Sequence, residues 1–98
     1  MREFLGGAVD LHILHHAAEE EIHGAWMSKE LAGHGYAISP GTLYPTLHRL
    51  ESEGFLTSRK VVEEGHARRV YTITADGRKA LARMRKALRE LADEVLDG

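Results

Sequence analysis

Histidine side chains cluster early in the chain at spacings that suit a divalent metal ion. His12, His15 and His16 are followed about one helical turn later by Glu19 and Glu20. If this segment is a helix, residues three or four positions apart lie side by side on its surface. Paired imidazoles with a neighbouring carboxylate are ligands that zinc and similar borderline ions accept. We therefore expect a metal site with these ligands: His12, His16, Glu19 and Glu20.

Two other interpretations of these histidines stay open. The stripe can be a polar helix face that contacts only water, without any ligand. It can also respond to pH, because histidine is the side chain that titrates near neutrality. The chain has no cysteine, so disulfides and thiolate metal sites are excluded. A metal ion bound here would be an effector and not a required cofactor.

The sequence contains no pattern typical of a catalytic site. The serines at positions 28, 39, 52 and 58 do not lie in a Gly-x-Ser-x-Gly setting, and glycine-rich phosphate-binding motifs are absent. Seven histidines without a complete ligand motif do not make a hydrolase. We predict that the protein is not an enzyme and requires no cofactor.

Residues 38–54 predict one helix with both ends marked. Ser39 is a suitable N-cap, whose hydroxyl can accept a hydrogen bond from a first-turn amide, and Pro40 suits the first helical position. Gly54 stands where a left-handed C-cap is favoured. One row of leucines at spacings of four and three predicts a single buried face: Leu43, Leu47 and Leu50.

Pro45 lies inside this predicted helix. A proline there removes the hydrogen bond to the Gly41 carbonyl, at about 3 kcal/mol in an ordinary helix interior. Two explanations stay open. The kink is tolerated in a helix that only packs, or the first turn must be presented outward at a set angle.

Two β-rich runs follow, residues 55–62 and 67–73, around a turn that contains Gly65. This order predicts a β-hairpin directly after the helix, which is the outline of a winged helix. Arg68 and Arg69 lie on its second strand. They either deter aggregation at an exposed edge or contact phosphates, where they would contribute affinity more than sequence selectivity.

Residues 39–54, Ser-Pro-Gly-Thr-Leu-Tyr-Pro-Thr-Leu-His-Arg-Leu-Glu-Ser-Glu-Gly, and 68–78, Arg-Arg-Val-Tyr-Thr-Ile-Thr-Ala-Asp-Gly-Arg, resemble the PadR family of bacterial transcriptional regulators. The resemblance covers nearly the whole chain. It implies a mainly α fold with a small β-hairpin, that is, a winged helix-turn-helix plus a C-terminal dimerisation helix. We expect a DNA-binding domain over residues 1–74 and the dimerisation helix over residues 75–98.

In a helix-turn-helix the second helix enters the major groove. Gly41 allows close approach of the backbone to a phosphate, and Thr42 and Tyr44 are the best candidates for hydrogen bonds to bases or phosphates. The arginines are assigned to phosphate contacts. The full set of predicted DNA-binding residues is Ser39, Gly41, Thr42, Tyr44, Pro45, Arg49, Arg68 and Arg69.

Two further helices predict an association of subunits. Residues 4–22 form a helix with two apolar faces, and a helix of that kind must bury both. Residues 75–96, capped by Thr74, carry apolar residues at heptad spacing. Packing of this last helix on the first helix of the same chain is the alternative to a homodimer. The predicted dimer residues are Leu5, Leu81, Met84, Leu88, Leu91 and Val95.

The charge is unevenly distributed along the 98 residues. The net charge of −2 argues mildly against nucleic acid. Residues 1–37, however, hold two basic and six acidic side chains, a net of −4, whereas residues 38–72 hold five basic and four acidic ones, a net of +1. The chain has no apolar run of about 18 residues and no signal pattern, so we expect no membrane contact and a cytoplasmic location.

We therefore predict a sequence-specific transcriptional regulator that acts as a homodimer on a pseudo-palindromic operator in double-stranded DNA. The two recognition helices should lie roughly 34 Å apart, one turn of DNA. A repressor that responds to a small molecule or a metal ion is the expected type. The alternative is a metal-binding or protein-interaction module that uses the winged helix without specific DNA binding, because winged helices host both roles.

Overall fold

Four α-helices and a three-stranded sheet make up the residues that the computed structural model describes, 2–35 and 38–97, with side chains for 7–35, 38–39 and 41–97. The arrangement is the predicted winged helix-turn-helix with a helix at its C-terminal end. In chain order the elements are α1 (Arg2–Glu19), β1 (Ile22–His23), α2 (Gly24–Gly33), α3 (Pro40–Ser52), β2 (Leu56–Glu63), β3 (His66–Ile73) and α4 (Ala75–Ala92), followed by a π-helical turn (Asp93–Asp97).

The N-terminal end of α3 differs from the prediction in one detail. Ser39 is the N-cap residue, but its hydroxyl does not cap the helix and lies 3.5 Å from the Thr42 hydroxyl. The Ser39 carbonyl instead accepts hydrogen bonds from the amides of Thr42 and Leu43, at 2.9 and 3.0 Å. A capping hydroxyl would bond the amide of Gly41 or Thr42, and the Thr42 amide already has a partner.

The C-terminal end of α3 is formed as predicted. Gly54 has a left-handed φ of +85°. Its amide bonds the Glu51 carbonyl at 3.0 Å, and the Phe55 amide bonds the Leu50 carbonyl at 2.9 Å. This pair of bonds is the Schellman motif, which satisfies the last carbonyls of a helix and turns the chain sharply. The turn directs the chain into β2.

The sheet has the strand order β1-β3-β2 and is antiparallel throughout. β2 and β3 form the predicted hairpin, called the wing below, and its turn residues Glu64 and Gly65 both have positive φ, as a type I′ turn requires. β1 was not predicted. Ile22, expected at the end of the first helix, pairs with Tyr71 instead. α1 ends before it, because an acidic run at residues 19–21 is unfavourable at a helix C-terminus.

The core lies where α1, α2, α3 and the beginning of α4 meet the sheet. Each large side chain buried there contributes about 1.5–3 kcal/mol relative to an exposed one. Within residues 2–35 and 38–97, no helix has the length and apolar character needed to cross a membrane. The predicted leucine row of α3 is among the largest fully buried side chains. These side chains are Ile13, Leu14, Ile22, Met27, Leu31, Leu43, Leu47, Leu50 and Leu56.

The start of α4 is joined to the chain segment that leaves α3. Thr74 caps α4 as predicted, because its hydroxyl oxygen accepts a hydrogen bond from the Gly77 amide at 2.9 Å. The Thr74 amide in turn bonds the Phe55 carbonyl at 3.0 Å. A Cβ at Gly77 would overlap that same carbonyl oxygen. Thr74 and Gly77 therefore allow the start of α4 to pack closely against the backbone of Phe55.

Only the first half of α4 belongs to the core. Leu81, predicted to face a partner subunit, is buried within its own chain, since α4 packs against α1. Met84 is half-buried against the core, and Leu88 and the residues beyond it are largely exposed. The radius of gyration is 14.4 Å, above the roughly 12.6 Å typical of a compact chain of this length. The second half of α4 therefore extends away from the folded unit.

Gly77→Ala should lower the free energy of unfolding by about 1–3 kcal/mol, because the new methyl group meets the Phe55 backbone and cannot move aside. Urea unfolding followed by circular dichroism measures this change. Gly7→Ala is the matched control: Gly7 lies within α1, and among the described residues outside its own turn of helix a methyl group added there would meet no atom within 4 Å. That variant should gain about 0.5–1 kcal/mol from helix propensity. Equal stabilities for the two variants would contradict the tight junction.

Candidate nucleic-acid interface and histidine cluster

The outward face of α3 brings together five of the predicted DNA-binding residues. Because the leucine row is buried on the opposite side, Thr42 and Tyr44 point away from the core, and 48% of the Tyr44 surface is exposed. Ser39, Gly41 and Pro45 are also exposed. The result is a small polar surface around one aromatic ring, on the first half of the helix.

The proline of α3 lies on this same outward face. Pro45 has no amide hydrogen, so it cannot bond the carbonyl one turn before it. The next residue, Thr46, donates its hydroxyl hydrogen to the Thr42 carbonyl at 2.8 Å. A hydroxyl bond to the preceding turn bends helices slightly. The departure from a regular helix therefore affects the exposed side of α3, and the leucine row remains packed.

A cleft of about 540 Å³ lies between the wing, α3 and the N-terminus of α2. The Tyr44 ring covers one wall, so close to Gly24 that a Cβ on that glycine would lie 2.5 Å from the ring. The N-cap residue His23 makes no side-chain bond to the first amides of α2. A helix N-terminus carries partial positive charge, and Arg68 and Arg69 of the wing also line the cleft. The cleft is therefore electropositive.

The wing carries like charges directly opposite each other. Lys60 pairs with Arg69 across the two strands, an arrangement that is destabilising by itself. One nitrogen of Arg69 donates to the Ser58 hydroxyl at 3.0 Å. Within the part of the chain that the structure describes, neither Arg68 nor Arg69 forms an ion pair with a carboxylate. Both guanidinium groups therefore keep their charge available for an anion in the cleft.

Arg49, for which a phosphate contact is predicted, is exposed on α3 and is also paired within the protein. Its guanidinium donates two hydrogen bonds to the Asp10 carboxylate, at 2.6 and 2.7 Å, and a third to Glu53 at 2.8 Å. The hydrogen bond to Asp10 is the main reason why the pKa of Arg49 is raised above its ordinary value. Asp10 lies on α1, so this contact, called the Asp10–Arg49 brace below, connects α1 to α3. The Arg49 guanidinium is therefore hydrogen-bonded within the protein, although its side chain is on the exposed side of α3.

Histidines of α1 meet polar residues of α2 in a group that we call the histidine cluster: His12, His16, Glu30 and His34. The rings of His12 and His16 are stacked, with centroids 4.9 Å apart, and the His34 ring lies 4.4 Å from His12. One oxygen of Glu30 lies 3.3 Å from His16 Nε2 and 3.1 Å from His34 Nε2. Burial, followed by the charge of His34, lowers the pKa of His12, which favours its neutral form.

The carboxylates predicted as metal ligands lie elsewhere. Glu19 contacts the half-buried His15, at 3.2 Å, and with His16 these two form a second group of potential ligands on α1. Glu20 lies one residue beyond the end of α1 and in neither group. The prediction assumed a helix that continues to Ile22, which would have kept Glu20 on the histidine face.

An apolar strip on the second half of α4 is exposed. Leu88, Leu91 and Val95 have 49%, 46% and 68% of their surfaces exposed. A groove of about 390 Å³ between α1 and α4 lies beside Leu88 and is lined partly by Leu11. The predicted dimer residue Leu5 lies outside the residues whose side chains are described. Part of the apolar surface between α1 and α4, at Leu11 and Leu88, is therefore open to solvent.

Comparison with known proteins places this geometry in a family. Residues 13–83 match the transcriptional regulator PadR-like family. The chain belongs to this family. It is 63% identical over 98 residues to the transcriptional regulator Rv3488 of Mycobacterium tuberculosis, covering the whole chain and 92% of that protein. The predicted PadR resemblance is confirmed, and so is the prediction of a regulator in place of an enzyme.

Solved structures of PadR proteins share the fold. The PadR-like transcriptional regulator BC4206 of Bacillus cereus superposes with a TM-score of 0.86 at 27% identity, covering 97% of this chain and 94% of that one. A PadR family regulator of Eggerthella lenta gives 0.84 at 32% identity, covering 95% and 82%. The similarity extends over α4 as well as the winged helix, because nearly the whole chain is matched.

Four residues of these sites were not predicted from the sequence. Glu30 and His34 stand four apart on α2, the same spacing as His12 and His16, so the helical-neighbour rule could have found them. Asp10 is 39 positions from Arg49, and Gly24 is 20 from Tyr44. No local pattern identifies contacts at such separations.

Asp10→Asn and Arg49→Gln should each reduce the free energy of unfolding, and together they should show a coupling of about 0.5–1 kcal/mol in a double-mutant cycle. The coupling is small because 48% of the Arg49 side chain is exposed, and solvent screens the pair. The corresponding cycle between Arg49→Gln and Glu53→Gln is the control and should give about 0.3–0.5 kcal/mol, as for an ordinary helical pair. No coupling to Asp10 would show that the brace does not hold α1 and α3 together.

Proposed function

We propose that the protein is a homodimeric repressor that binds a pseudo-palindromic operator through its winged helix. The observation that carries this proposal is the electropositive cleft beside the exposed face of α3. In this arrangement α3 lies in the major groove and a DNA backbone strand runs through the cleft. A PadR regulator with this surface has the two parts that recognition needs, a helix to contact bases and cations to hold phosphates.

In the proposed complex, a phosphate group lies at the N-terminus of α2. The first amides of α2 receive no side-chain cap from His23, so they can donate to an anion. Arg68 and Arg69 approach the same phosphate strand from the wing. Binding also relieves the repulsion between Lys60 and Arg69, since a phosphate neutralises charge between them.

Base recognition is assigned to the first half of α3. Thr42 and Tyr44 are exposed hydrogen-bonding groups at the centre of the polar face, and Gly41 leaves room for the DNA backbone. Tyr44 is also held in place by its contact with Gly24. An aromatic ring fixed by a neighbouring helix presents its hydroxyl at a defined position, which favours a specific contact.

Arg49 receives a revised role in this proposal. The bonds to Asp10 and Glu53 use three of the five N–H donors of Arg49 inside the protein. We therefore assign Arg49 to positioning α3 on α1, and we assign the phosphate contacts to Arg68 and Arg69. The distinction matters because a positioning residue affects binding without changing how many counterions the DNA releases.

The dimer is proposed to form through the exposed strip of α4. Leu88, Leu91 and Val95 continue the heptad spacing past the core, and a second copy would cover them. Residues 1–74 would then contact DNA and residues 75–98 would pair the subunits, with Leu81 and the start of α4 serving the core of each subunit. A dimer doubles the modest positive charge of one interface, and it matches an operator with twofold symmetry.

The proposed regulator represses by occupying its operator, which would place it with the chromosome in the cytoplasm. The net charge of −2 favours a second candidate, a protein-interaction module that does not bind DNA specifically. The two differ in their dependence on salt. A repressor loses affinity steeply as salt rises, whereas an interaction module binds DNA weakly and without sequence preference.

Arg68→Ala should weaken operator binding and flatten its dependence on salt. Each phosphate contact contributes about 0.9 to the slope of log K against log salt, so losing one per subunit should change the slope of a dimer by about 1.8. Arg49→Ala should weaken binding with the slope unchanged. Fluorescence anisotropy at several salt concentrations measures both, with duplexes selected by the protein from a random library. Lys86→Ala on α4 is the control and should change neither the operator affinity nor the salt slope. Salt-independent binding by the wild type would favour the interaction module.

Leu91→Asp should convert the dimer to monomers at micromolar concentration and lower operator affinity by at least tenfold. A charged group in the α4 strip would be buried without a partner in the dimer, which is strongly unfavourable. Sedimentation velocity gives the mass. Ala82→Asp introduces the same charge on an exposed part of α4 that faces away from the strip, and it should remain dimeric. If both variants sediment like the wild type, the strip is not the subunit interface.

A further inference from the structure

We propose that the histidine cluster binds one divalent cation of the zinc class between α1 and α2. The ligands are His12, Glu30 and His34, with His16 as the fourth. The site predicted from the sequence lay on α1 alone. The structure groups two histidines of α1 with a glutamate and a histidine of α2, so the proposed ion joins two helices.

The distances in the cluster fit such an ion. One ligand atom from each of His12, Glu30 and His34 lies within 4.8 Å of the others. Glu30 lies 3.1 Å from His34 and 3.3 Å from His16. A tetrahedral zinc with bonds of about 2.0–2.1 Å has ligand atoms roughly 3.3 Å apart. Small side-chain rotations are therefore enough to bring the donor atoms of His12, Glu30 and His34 around a metal ion, and His16 is near enough to Glu30 to complete the set.

The ligand types select the class of metal. Three imidazoles and one carboxylate suit zinc and neighbouring transition-metal ions. Magnesium and calcium prefer sites made of oxygen ligands, and they would find one carboxylate here. Each helix contributes an i, i+4 pair, His12 with His16 and Glu30 with His34, so each pair is held on one helix face.

The second group of potential ligands is less suitable. His15, His16 and Glu19 all lie on α1, and 62% of the Glu19 side chain is exposed. Arg85 of α4 lies 2.9 Å from Nδ1 of His15. This contact places a positive charge beside His15 and occupies one of its nitrogens. Both effects oppose a cation there, so the cluster between α1 and α2 is the favoured site.

The position of the cluster connects it to operator binding. His34 is the C-cap residue of α2, and Gly35 follows it in the connection that leads to α3. An ion held by both helices fixes the end of α2 on α1, which also packs against α4. We therefore expect the ion to change operator affinity by at least fivefold. This consequence rests on the proposed function, whereas the metal site itself does not.

The site is tested by titrating the full-length protein with Zn²⁺ in competition with a chromogenic chelator. The wild type should bind one ion per chain. Glu30→Gln and His34→Asn should each lower the affinity at least tenfold, whereas the matched controls His15→Asn and Glu19→Gln should stay within twofold. Circular dichroism verifies that each variant is folded. Cobalt(II) absorption provides a second readout, because a tetrahedral site with nitrogen and oxygen ligands has intense visible bands.

Each result decides one part of the proposal. If the two control variants lose affinity and Glu30→Gln does not, the ion binds on α1 and the proposed site is wrong. If no variant changes the affinity, binding is adventitious and the site is again wrong. Operator binding is then measured with and without Zn²⁺ in the wild type and in Glu30→Gln. An effect in the wild type alone supports regulation, and no effect in either overturns it. Loss of all specific DNA binding would overturn the proposed function and leave the metal site standing.

Discussion

The burial of one leucine row in α3 is the constraint on which the whole interface depends. Leu43, Leu47 and Leu50 are completely inaccessible to solvent. Together they contribute several kcal/mol, so rotating the helix about its axis is strongly unfavourable. The opposite face, with Thr42 and Tyr44, must therefore point outward. The other helices and the sheet pack around this row, and this packing fixes the orientation of α3.

Electrostatics at the interface are decided locally and not by the total charge. The chain is slightly acidic, yet two of the acidic groups near α3 and the wing are paired with arginines: Asp10 with Arg49, and Glu21 with Arg59. Charges more than about 8–10 Å apart are largely screened at physiological salt. The field in the cleft is therefore set by the cationic groups beside it and by the end of α2. A negative net charge is compatible with a surface that attracts phosphate.

Features set by neighbouring residues were predictable, and contacts between distant parts of the chain were not. The C-terminal end of α3, the hairpin and the Thr74 cap follow from side chains within a few positions. β1 has two residues, too few for any periodicity. The Asp10–Arg49 brace depends on how α1 crosses α3. Leu81 shows another limit, because heptad spacing predicts an apolar contact without indicating whether the helix opposite belongs to the same chain. The histidines were found, but their true neighbours on α2 depend on the packing of two helices.

The extension of α4 beyond the core has a consequence for how related regulators coexist. Leu88, Leu91 and Val95 are largely exposed, so they can change with little effect on the fold of their own chain. In the proposed α4 dimer, a cell that contains several PadR proteins would keep their subunits from mixing by altering a few apolar residues there. Partner choice and DNA reading would then diverge independently, each on its own part of a chain of 98 residues.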